Sequence, residues 1–426
     1  METTTQRSRT PLNRWHAERG AKLVDFGGWE MPLWYKTGAV AEHLAAISSA
    51  ALFDTSHMSV LTAAGPGSFD LLQRCFTKDL AATPFAAGRC AYGAFLDERG
   101  FCLDDAIVYR FAPDRFMVVV NAGMGARIAA HLLEYRGGLA VEIRDLTGSV
   151  GKMDVQGPAA ARVTARVLAD PDRVFARMPY FSHQGHFERG ADGDGAVIAA
   201  ETPILLSRTG YTGELGFEIF LPAERLARVW ERILEAGEAE GALPAGLAAR
   251  DSLRAGAVLP LSHQDIGPWP FINHPWEFAL PWDAERRGFT KKFVGDAVLA
   301  ARETAERTLA YAGYDPRKVQ GDPAVVLDAD GNEIGTVLTC VADMAVGRVD
   351  GKIFSVASPG KPDGFKPRGL VCGFVRVRSR PAPGTALELR DARRSIRVEI
   401  VEDVRPDRTA RRKLARMLVT KGAGEK

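Results

Sequence analysis

The hydrophobic positions of this chain follow two kinds of spacing up to about residue 300. Short apolar runs alternate with segments in which apolar residues recur every three to four positions, which predicts strands interleaved with helices. Helices are predicted at 39–49, 67–80, 125–135 and 224–241, and strands at 59–64 and 115–121. Because the alternation covers 54–140 and returns over 141–255, we predict an α+β fold with two related α/β subdomains within residues 1–300.

The pattern changes beyond residue 300. Helical periodicity ends there, and paired strand signals surround the turns at Asp330-Gly331 and Asp350-Gly351. Residues 307–405 are therefore predicted to form a separate small β-barrel or sandwich, with a Pro/Gly/Lys-rich loop at 358–369. The basic segment 406–426 is interpreted as a solvated, partly disordered tail, with contact to an acidic ligand or partner as the alternative.

Segment 24–32 combines glycine, proline and aromatic residues too densely for a regular element. It is predicted to be a packed loop that lines a site.

Length and composition narrow the class of protein. A chain of 426 residues exceeds one ordinary core, and 46% hydrophobic with 25% charged residues is typical of soluble globular proteins. A net charge of +2 and the lack of a run of about 18 apolar residues give no reason to expect nucleic-acid or membrane binding. Five scattered cysteines without a CxxC pair, and a start without an apolar signal core, indicate a reduced, cytoplasmic protein.

The most informative stretch is a predicted β-hairpin at 91–109 that turns at 97–100. Its second strand carries Asp104 and Asp105 among apolar residues, which is costly unless the carboxylates are paired, solvated or used in chemistry. Side chains alternate along a strand, so Asp105 shares a face with Tyr109 while Asp104 points the other way. Either one carboxylate faces a pocket, or both acids end a strand at the surface.

A second candidate region is the glycine-rich stretch 207–218. Its glycines at 210, 213 and 216 let a backbone pass close to a flat ligand. Tyr211 supplies a stacking ring, and Glu218 supplies a carboxylate that can accept two parallel N–H bonds. A glycine-rich turn without a ligand is the alternative.

Aromatic residues are concentrated between residues 263 and 282. Trp269, His274 and Trp276 are candidates for a wall around a methylated cation or a ring in the substrate. A packed, proline-stiffened connection to the barrel explains the same pattern.

Other motifs are incomplete. Residues 121–128 approach a dinucleotide fingerprint, but Ile128 stands where its third glycine belongs. His183 and His186 form an HxxH without a Glu or Cys at metalloenzyme spacing, so no metal is expected. Arg250, near a predicted helix start, either binds an anionic group or pairs with Asp251.

Several stretches in order then match one family. They include Arg-Thr-Pro-Leu at 9–12, Phe-Asp-Thr-Ser-His-Met at 53–58, Asp-Asp-Ala-Ile-Val-Tyr at 104–109, the segments 24–32, 119–122 and 207–218, and Pro-Ala-Gly-Leu-x-Ala-Arg-Asp at 244–251. With them the chain resembles the aminomethyltransferase family, which includes the glycine cleavage T-protein and tetrahydrofolate-dependent demethylases. The resemblance is strong over about residues 9–300 and weak beyond.

The resemblance implies a three-domain cloverleaf around tetrahydrofolate: two interleaved ferredoxin-like α/β subdomains, the second at about 54–140, plus a C-terminal β-barrel. Asp105 is similar to the family's catalytic carboxylate, which would manage the proton on N5 of the cofactor. Glu218 is similar to the residue that grips the pterin edge. The positions similar to cofactor-pocket residues are Met58, Tyr92, Tyr109, Asn121, Tyr180, Tyr211, Glu218 and Arg250.

The chain departs from T-proteins on the donor side, where 259–265 lacks their Tyr-Gly-containing stretch and 269–274 is richer in aromatics. We therefore expect a demethylase-type enzyme that moves a methyl group from a small methylated donor to N5 of tetrahydrofolate. One alternative is a T-protein that takes an aminomethyl group from a lipoyl carrier protein. The other is a non-catalytic folate-binding protein, although that branch has Lys-Gly-Cys where this chain has Arg208-Thr209-Gly210.

Overall fold

The computed structural model describes residues 7–82, 84–188, 196–301, 306–321 and 323–419. The α-helices in this part of the chain are α1 (Asn13–Glu18), α2 (Ala39–Ser48), α3 (Ser68–Cys75), α4 (Gly125–Glu134), α5 (Ala160–Ala165), α6 (Pro171–Phe175), α7 (Leu226–Gly237), α8 (Leu247–Gly256), α9 (Asp296–Ala300) and α10 (Leu414–Leu418). Short 3-10 helices lie at Ala223–Arg225, Glu238–Glu240, Phe271–Asn273 and Glu277–Ala279.

The strands are β1 (Ser8–Arg9), β2 (Lys22–Phe26), β3 (Trp29–Trp34), β4 (Ala51–Asp54), β5 (Ser59–Ala64), β6 (Arg89–Leu96), β7 (Cys102–Ala112), β8 (Arg115–Val120), β9 (Glu142–Asp145), β10 (Val150–Gln156), β11 (His183–Gly185), β12 (Val197–Ala199), β13 (Thr202–Ser207), β14 (Gly216–Pro222), β15 (Leu243–Pro244), β16 (Arg307–Gly313), β17 (Val325–Leu327), β18 (Glu333–Asp343), β19 (Val346–Val349), β20 (Lys352–Ser355), β21 (Leu370–Val377), β22 (Ala386–Arg390) and β23 (Ser395–Ile400).

The first large sheet has five antiparallel strands in the order β6-β7-β8-β5-β9. Its β6–β7 hairpin turns through Gly100, whose φ of +75° suits glycine. Apolar side chains of α3 and α4, such as Leu72 and Ile128, pack on one face with Phe95 and Val118. The opposite face of β7 is left to contribute Asp105 to the interior of the protein.

The second large sheet runs β11-β13-β14-β10-β4-β15, with β12 paired to β13. Its central strand β10 is buried along its whole length, and α5 and α7 cover it through residues such as Val163 and Trp230. Strand β4 precedes the first sheet in sequence yet pairs with β10 of the second. The two α/β parts are therefore interleaved along the chain.

The C-terminal part is a closed six-stranded barrel in the order β16-β21-β18-β17-β22-β23. Valine, leucine and isoleucine side chains such as Val375, Leu389 and Val398 fill its core. The α+β architecture with two interleaved α/β parts and a C-terminal barrel is thus confirmed.

The prediction of an irregular loop at 24–32 is wrong. Strands β2 and β3 pair antiparallel there, and β1 adds to β3, forming a small three-stranded sheet. Gly27 and Gly28 occupy the turn with φ of +59° and +83°. A tight hairpin turn commonly requires two adjacent residues with positive φ, and two glycines meet this requirement. The glycine pair therefore indicates a hairpin here, even though β3 contains a proline.

The interpretation of 406–426 as a solvated tail is wrong for its described part, 406–419. Thr409 is buried, and Leu414 and Met417 of α10 pack into the core of the second sheet. The remaining residues, 420–426, lie outside the described part. No helix in the described ranges is both long and apolar enough to cross a membrane.

Buried charges join the barrel to the second α/β part. Arg405, which follows the last barrel strand, forms ion pairs with Asp343 of β18 and with Glu214 in the glycine-rich loop. Asp343 also accepts a hydrogen bond of 2.8 Å from His43 of α2. Burial alone would raise the pKa of Asp343, but the charges of Arg405 and His43 outweigh it and hold that pKa well below its usual value. The carboxylate is therefore ionised at neutral pH.

Replacing Arg405 by methionine is expected to lower the free energy of unfolding by about 3–5 kcal/mol, because two buried carboxylates lose their cation. Urea denaturation measures this loss. Arg378→Met, at an exposed arginine just after β21, is the control and is expected to change stability by less than about 0.5 kcal/mol. Equal losses in the two variants would contradict the role of the buried charges.

Candidate functional site

A large cavity lies where the two α/β parts and the barrel meet. Its volume is about 1560 Å³, and its lining residues come from all three parts. Ordinary small-molecule pockets have volumes of about 300–1,000 Å³. The cavity therefore has room for a cofactor and a second reactant together.

Most of the site residues predicted from the sequence line this cavity. They are Met58, Tyr92, Asp105, Asn121, Tyr180, Tyr211, Glu218, Arg250, His274 and Trp276. Two predicted residues, Tyr109 and Trp269, are not in its lining. Tyr109 is fully buried behind the wall, where its hydroxyl donates to Glu218 over 3.3 Å.

Asp105 is held in the cavity wall by two hydrogen bonds. The hydroxyl of Tyr92 donates to one carboxylate oxygen over 2.8 Å, and the amide of Asn121 donates to the other over 2.7 Å. Burial raises the pKa of Asp105 to about 6, and the negative charge of Asp104 adds to the rise. A carboxyl group with a pKa near neutrality can both accept and return a proton under physiological conditions.

Asp104 points away from the cavity, as the strand alternation predicts, and is completely buried. Its oxygens accept hydrogen bonds from the backbone and side-chain N–H groups of Asn121, both at 2.7 Å, and from Ser262 at 3.0 Å. Asn121 thus links the two aspartates, because its side-chain amide donates to both.

Glu218 and Arg250 of the cavity wall belong to a buried network of four charged residues. Lys152 forms ion pairs with Asp154 and Glu218, and Arg250 binds Asp154 over 2.8 Å. The alternative pairing of Arg250 with Asp251 does not occur, since Asp251 pairs with Arg254. Burial opposes the charge on Asp154, but Lys152 and Arg250 lower its pKa to about 2. Asp154 therefore stays ionised at neutral pH.

Sequence reasoning missed Lys152 and His57. Lys152 and Asp154 alternate within the apolar strand β10, the same signal that identified Asp105, so the pattern was sufficient to find them. His57 lies in the family-like stretch 53–58 and lines the cavity while 3% exposed. Its Nδ1 has no hydrogen-bond partner among the described residues. Burial lowers its pKa to about 4, so it offers the cavity a neutral imidazole.

The glycine-rich loop carries Tyr211 and approaches β10 closely. A Cβ at Gly210 or Gly216 would lie within 2.1–2.5 Å of the Gln156 side chain, so these positions require glycine. The Tyr211 hydroxyl donates to the carbonyl of Pro260. The guanidinium of Arg250 stacks 5.2 Å from the Tyr211 ring. Ring and cation are thus fixed before any ligand binds.

The aromatic residues of 269–278 divide into two groups. Trp276 lies edge-on to Tyr92, the residue that donates to Asp105, with 4.7 Å between ring centroids. His274, 1% exposed, is kept neutral because burial lowers its pKa to about 3. Trp269 instead packs under Arg376 of the barrel, 4.6 Å from the guanidinium carbon. Trp269 therefore belongs to a packed connection to the barrel, which was the alternative interpretation of this segment.

The HxxH pair serves packing. His183 contacts Tyr109 and Phe111, and His186 packs on Phe111. Within the described ranges, no group of three or more His, Cys, Asp or Glu side chains is arranged to hold a metal ion.

Known proteins match this chain along most of its length. The family model of the GCVT N-terminal domain matches residues 12–282. An aminomethyltransferase of Desulfitobacterium hafniense (strain DSM 10664 / DCB-2) is 39% identical over 349 residues, which cover 78% of this chain and 86% of that protein. An aminomethyltransferase of Herpetosiphon aurantiacus is 37% identical over 344 residues, covering 80% and 87%.

A solved structure matches as well. The crystal structure of the glycine cleavage system aminomethyltransferase T from Bartonella henselae is 29% identical, covers 93% of this chain and 97% of its own, and superposes with a TM-score of 0.74. The fold, the cavity and these matches together define the protein as a multidomain one-carbon transferase. The chain belongs to the aminomethyltransferase family. It is accordingly an enzyme, and the cofactor expected from the resemblance, tetrahydrofolate, is that of its family.

Asp105→Asn is expected to raise stability. Because the pKa of Asp105 is higher in the folded than in the unfolded protein, its ionisation opposes folding above the unfolded value near 4. The variant should gain about 1–3 kcal/mol at pH 8, and the gain should disappear below about pH 4. Thermal denaturation across this pH range measures it. Asp114→Asn, at an exposed turn aspartate, is the matched control. A loss of stability at pH 8 would contradict the raised pKa.

Proposed function

We propose that this enzyme transfers an aminomethyl group from the lipoyl arm of a carrier protein to tetrahydrofolate. The overall reaction breaks the bond from the aminomethyl carbon to the lipoyl sulfur, forms methylene-tetrahydrofolate, and releases ammonia and the dihydrolipoyl arm. The observation that carries this proposal is the match to aminomethyltransferases over most of both chains. It favours this reaction over the methyl transfer from a small methylated compound that the altered donor segment had led us to expect.

The cavity is suited to tetrahydrofolate. Glu218 is fixed in place, because its Oε1 accepts from Lys152 and its Oε2 accepts from Thr209 and Tyr109. Oε1 keeps one lone pair for an N–H group of an aminopyrimidine edge. Tyr211 and the unpartnered nitrogen of His57 add a flat surface and a polar contact. Tetrahydrofolate would supply the acceptor nitrogen N5.

Asp105 is proposed as the catalytic carboxylate. Tyr92 and Asn121 orient both of its oxygens, so its position does not depend on the bound reactants. With a pKa of about 6, it is mostly ionised at neutral pH and able to take the proton that N5 loses. Holding the donor carbon and the acceptor together in one cavity supplies the larger part of the acceleration.

The test incubates the pure protein with tetrahydrofolate and an aminomethyl-lipoyl carrier protein, and separately with betaines, sulfonium compounds and methoxy-aromatics. Methylene-tetrahydrofolate and ammonia, formed only with the carrier, would support the proposal. A 5-methyl product from a small donor would overturn it and establish the demethylase reaction. Mass spectrometry of the folate product separates these outcomes.

Asp105→Asn is expected to remove most turnover while changing the affinity for tetrahydrofolate by less than about tenfold, or ~1.4 kcal/mol. Isothermal titration and product formation are measured on the same preparation, with Asp114→Asn as the control. Unchanged turnover would contradict the assignment of Asp105.

Trp276 and Trp269 provide a matched pair for the donor side. Trp276→Phe is expected to raise the KM for the donor several-fold, because the Trp276 ring lines the cavity and packs against Tyr92. Trp269→Phe changes a ring outside the cavity lining and should leave that KM within about twofold. If both variants changed the KM for the donor equally, both tryptophans would have only a packing role.

A further inference from the structure

Asp104, the buried neighbour of Asp105, has a further partner on its solvent side. His263 Nε2 lies 3.2 Å from an oxygen of Asp104, and the His263 side chain is 47% exposed while Asp104 is 0% exposed. Hydrogen bonds therefore run continuously from Asp105 through Asn121 and Asp104 to a histidine at the surface.

The backbone holds His263 in this position. Its φ is +63°, a conformation that side-chain-bearing residues adopt rarely and at an energetic cost. The His263 N–H donates to the carbonyl of Ile266 over 2.8 Å, and Asp265 closes the same turn by accepting from the Leu261 N–H over 2.9 Å. The preceding residue, Ser262, also donates to Asp104. A strained turn thus places two consecutive side chains on one carboxylate.

Several charged groups face His263. Asp104 and Asp105 approach from β7, and Arg127 approaches from α4. The hydrogen bond to Asp104 raises the pKa of His263, burial and Arg127 oppose the rise, and both aspartates add to it.

We propose that His263 is a positioning residue for the reaction, which holds Asp104 in place and, when protonated, offsets the negative charge of Asp104 beside Asp105. This inference rests on the proposed role of Asp105. Protonated His263 favours ionised Asp105, because it reduces the repulsion between the two carboxylates. When His263 loses its positive charge, the negative charge of Asp104 is no longer offset. Asp105 then keeps its proton up to a higher pH. His263 itself is not one of the cavity-lining residues, although its neighbours Ser262 and Gln264 are.

The first test is an NMR titration of His263, which needs no turnover and so stays informative if the proposed reaction is wrong. In the wild-type protein its midpoint is expected above 6.5, the ordinary value for histidine. Asp104→Asn should lower it most, and Asp105→Asn should lower it less, because coupling between the sites is reciprocal. A midpoint unmoved by Asp105→Asn would overturn the proposal.

The second test follows the acid limb of the kcat–pH profile. His263→Gln keeps a hydrogen-bonding group but loses the charge, and it should move that limb upward by about half a pH unit. His263→Lys retains a cation and should leave the limb nearer the wild-type position. Arg144→Gln, which removes an exposed cation from the same sheet, is the control and should not shift it. A uniform loss of kcat with no shift in His263→Gln would reduce His263 to a structural role.

Discussion

Arg405 and its two carboxylate partners are buried together where the barrel meets the second α/β part. Charges of this kind are costly to bury unless every group is paired, so the barrel and the second α/β part must pack in an arrangement that satisfies all three. The same constraint places the glycine-rich loop, through Glu214, and helix α2, through His43, against the barrel. Both the glycine-rich loop and the barrel contribute residues to the cavity lining.

Two carboxylates at this site, Asp154 and Asp105, experience opposite environments. Asp154 stands between Lys152 and Arg250, which keep it ionised, whereas burial and the charge of Asp104 favour the protonated form of Asp105. A separation of this kind commonly distinguishes groups that bind from groups that exchange protons. The site thus contains one carboxylate with a fixed charge and another that is able to change its charge near neutral pH.

Patterns among neighbouring residues in the sequence predicted the features that depend only on neighbouring residues. Alternation along β7 is a property of any strand, so it correctly placed Asp105 toward the cavity and Asp104 away from the cavity. It failed for Tyr109, on the same face as Asp105, because β14 brings Glu218 and Phe220 against that end of the strand and closes it off from the cavity. Trp269 was indistinguishable from Trp276 in sequence, and only the position of Arg376 on the barrel separates them.

The sequence by itself determined the α+β class, the change to a barrel beyond residue 300, the aspartate pair and the family, since periodicity and ordered motifs are carried by neighbouring residues. The tertiary structure alone decided which polar groups meet: Arg250 with Asp154, Arg405 with Asp343, and His263 with Asp104. Each of these pairs joins segments that are distant in sequence: Arg250 and Asp154 are 96 residues apart, and Arg405 and Asp343 are 62 residues apart. Such pairings follow from how the sheets and barrel pack, because buried charges take whichever partner the packing brings within reach.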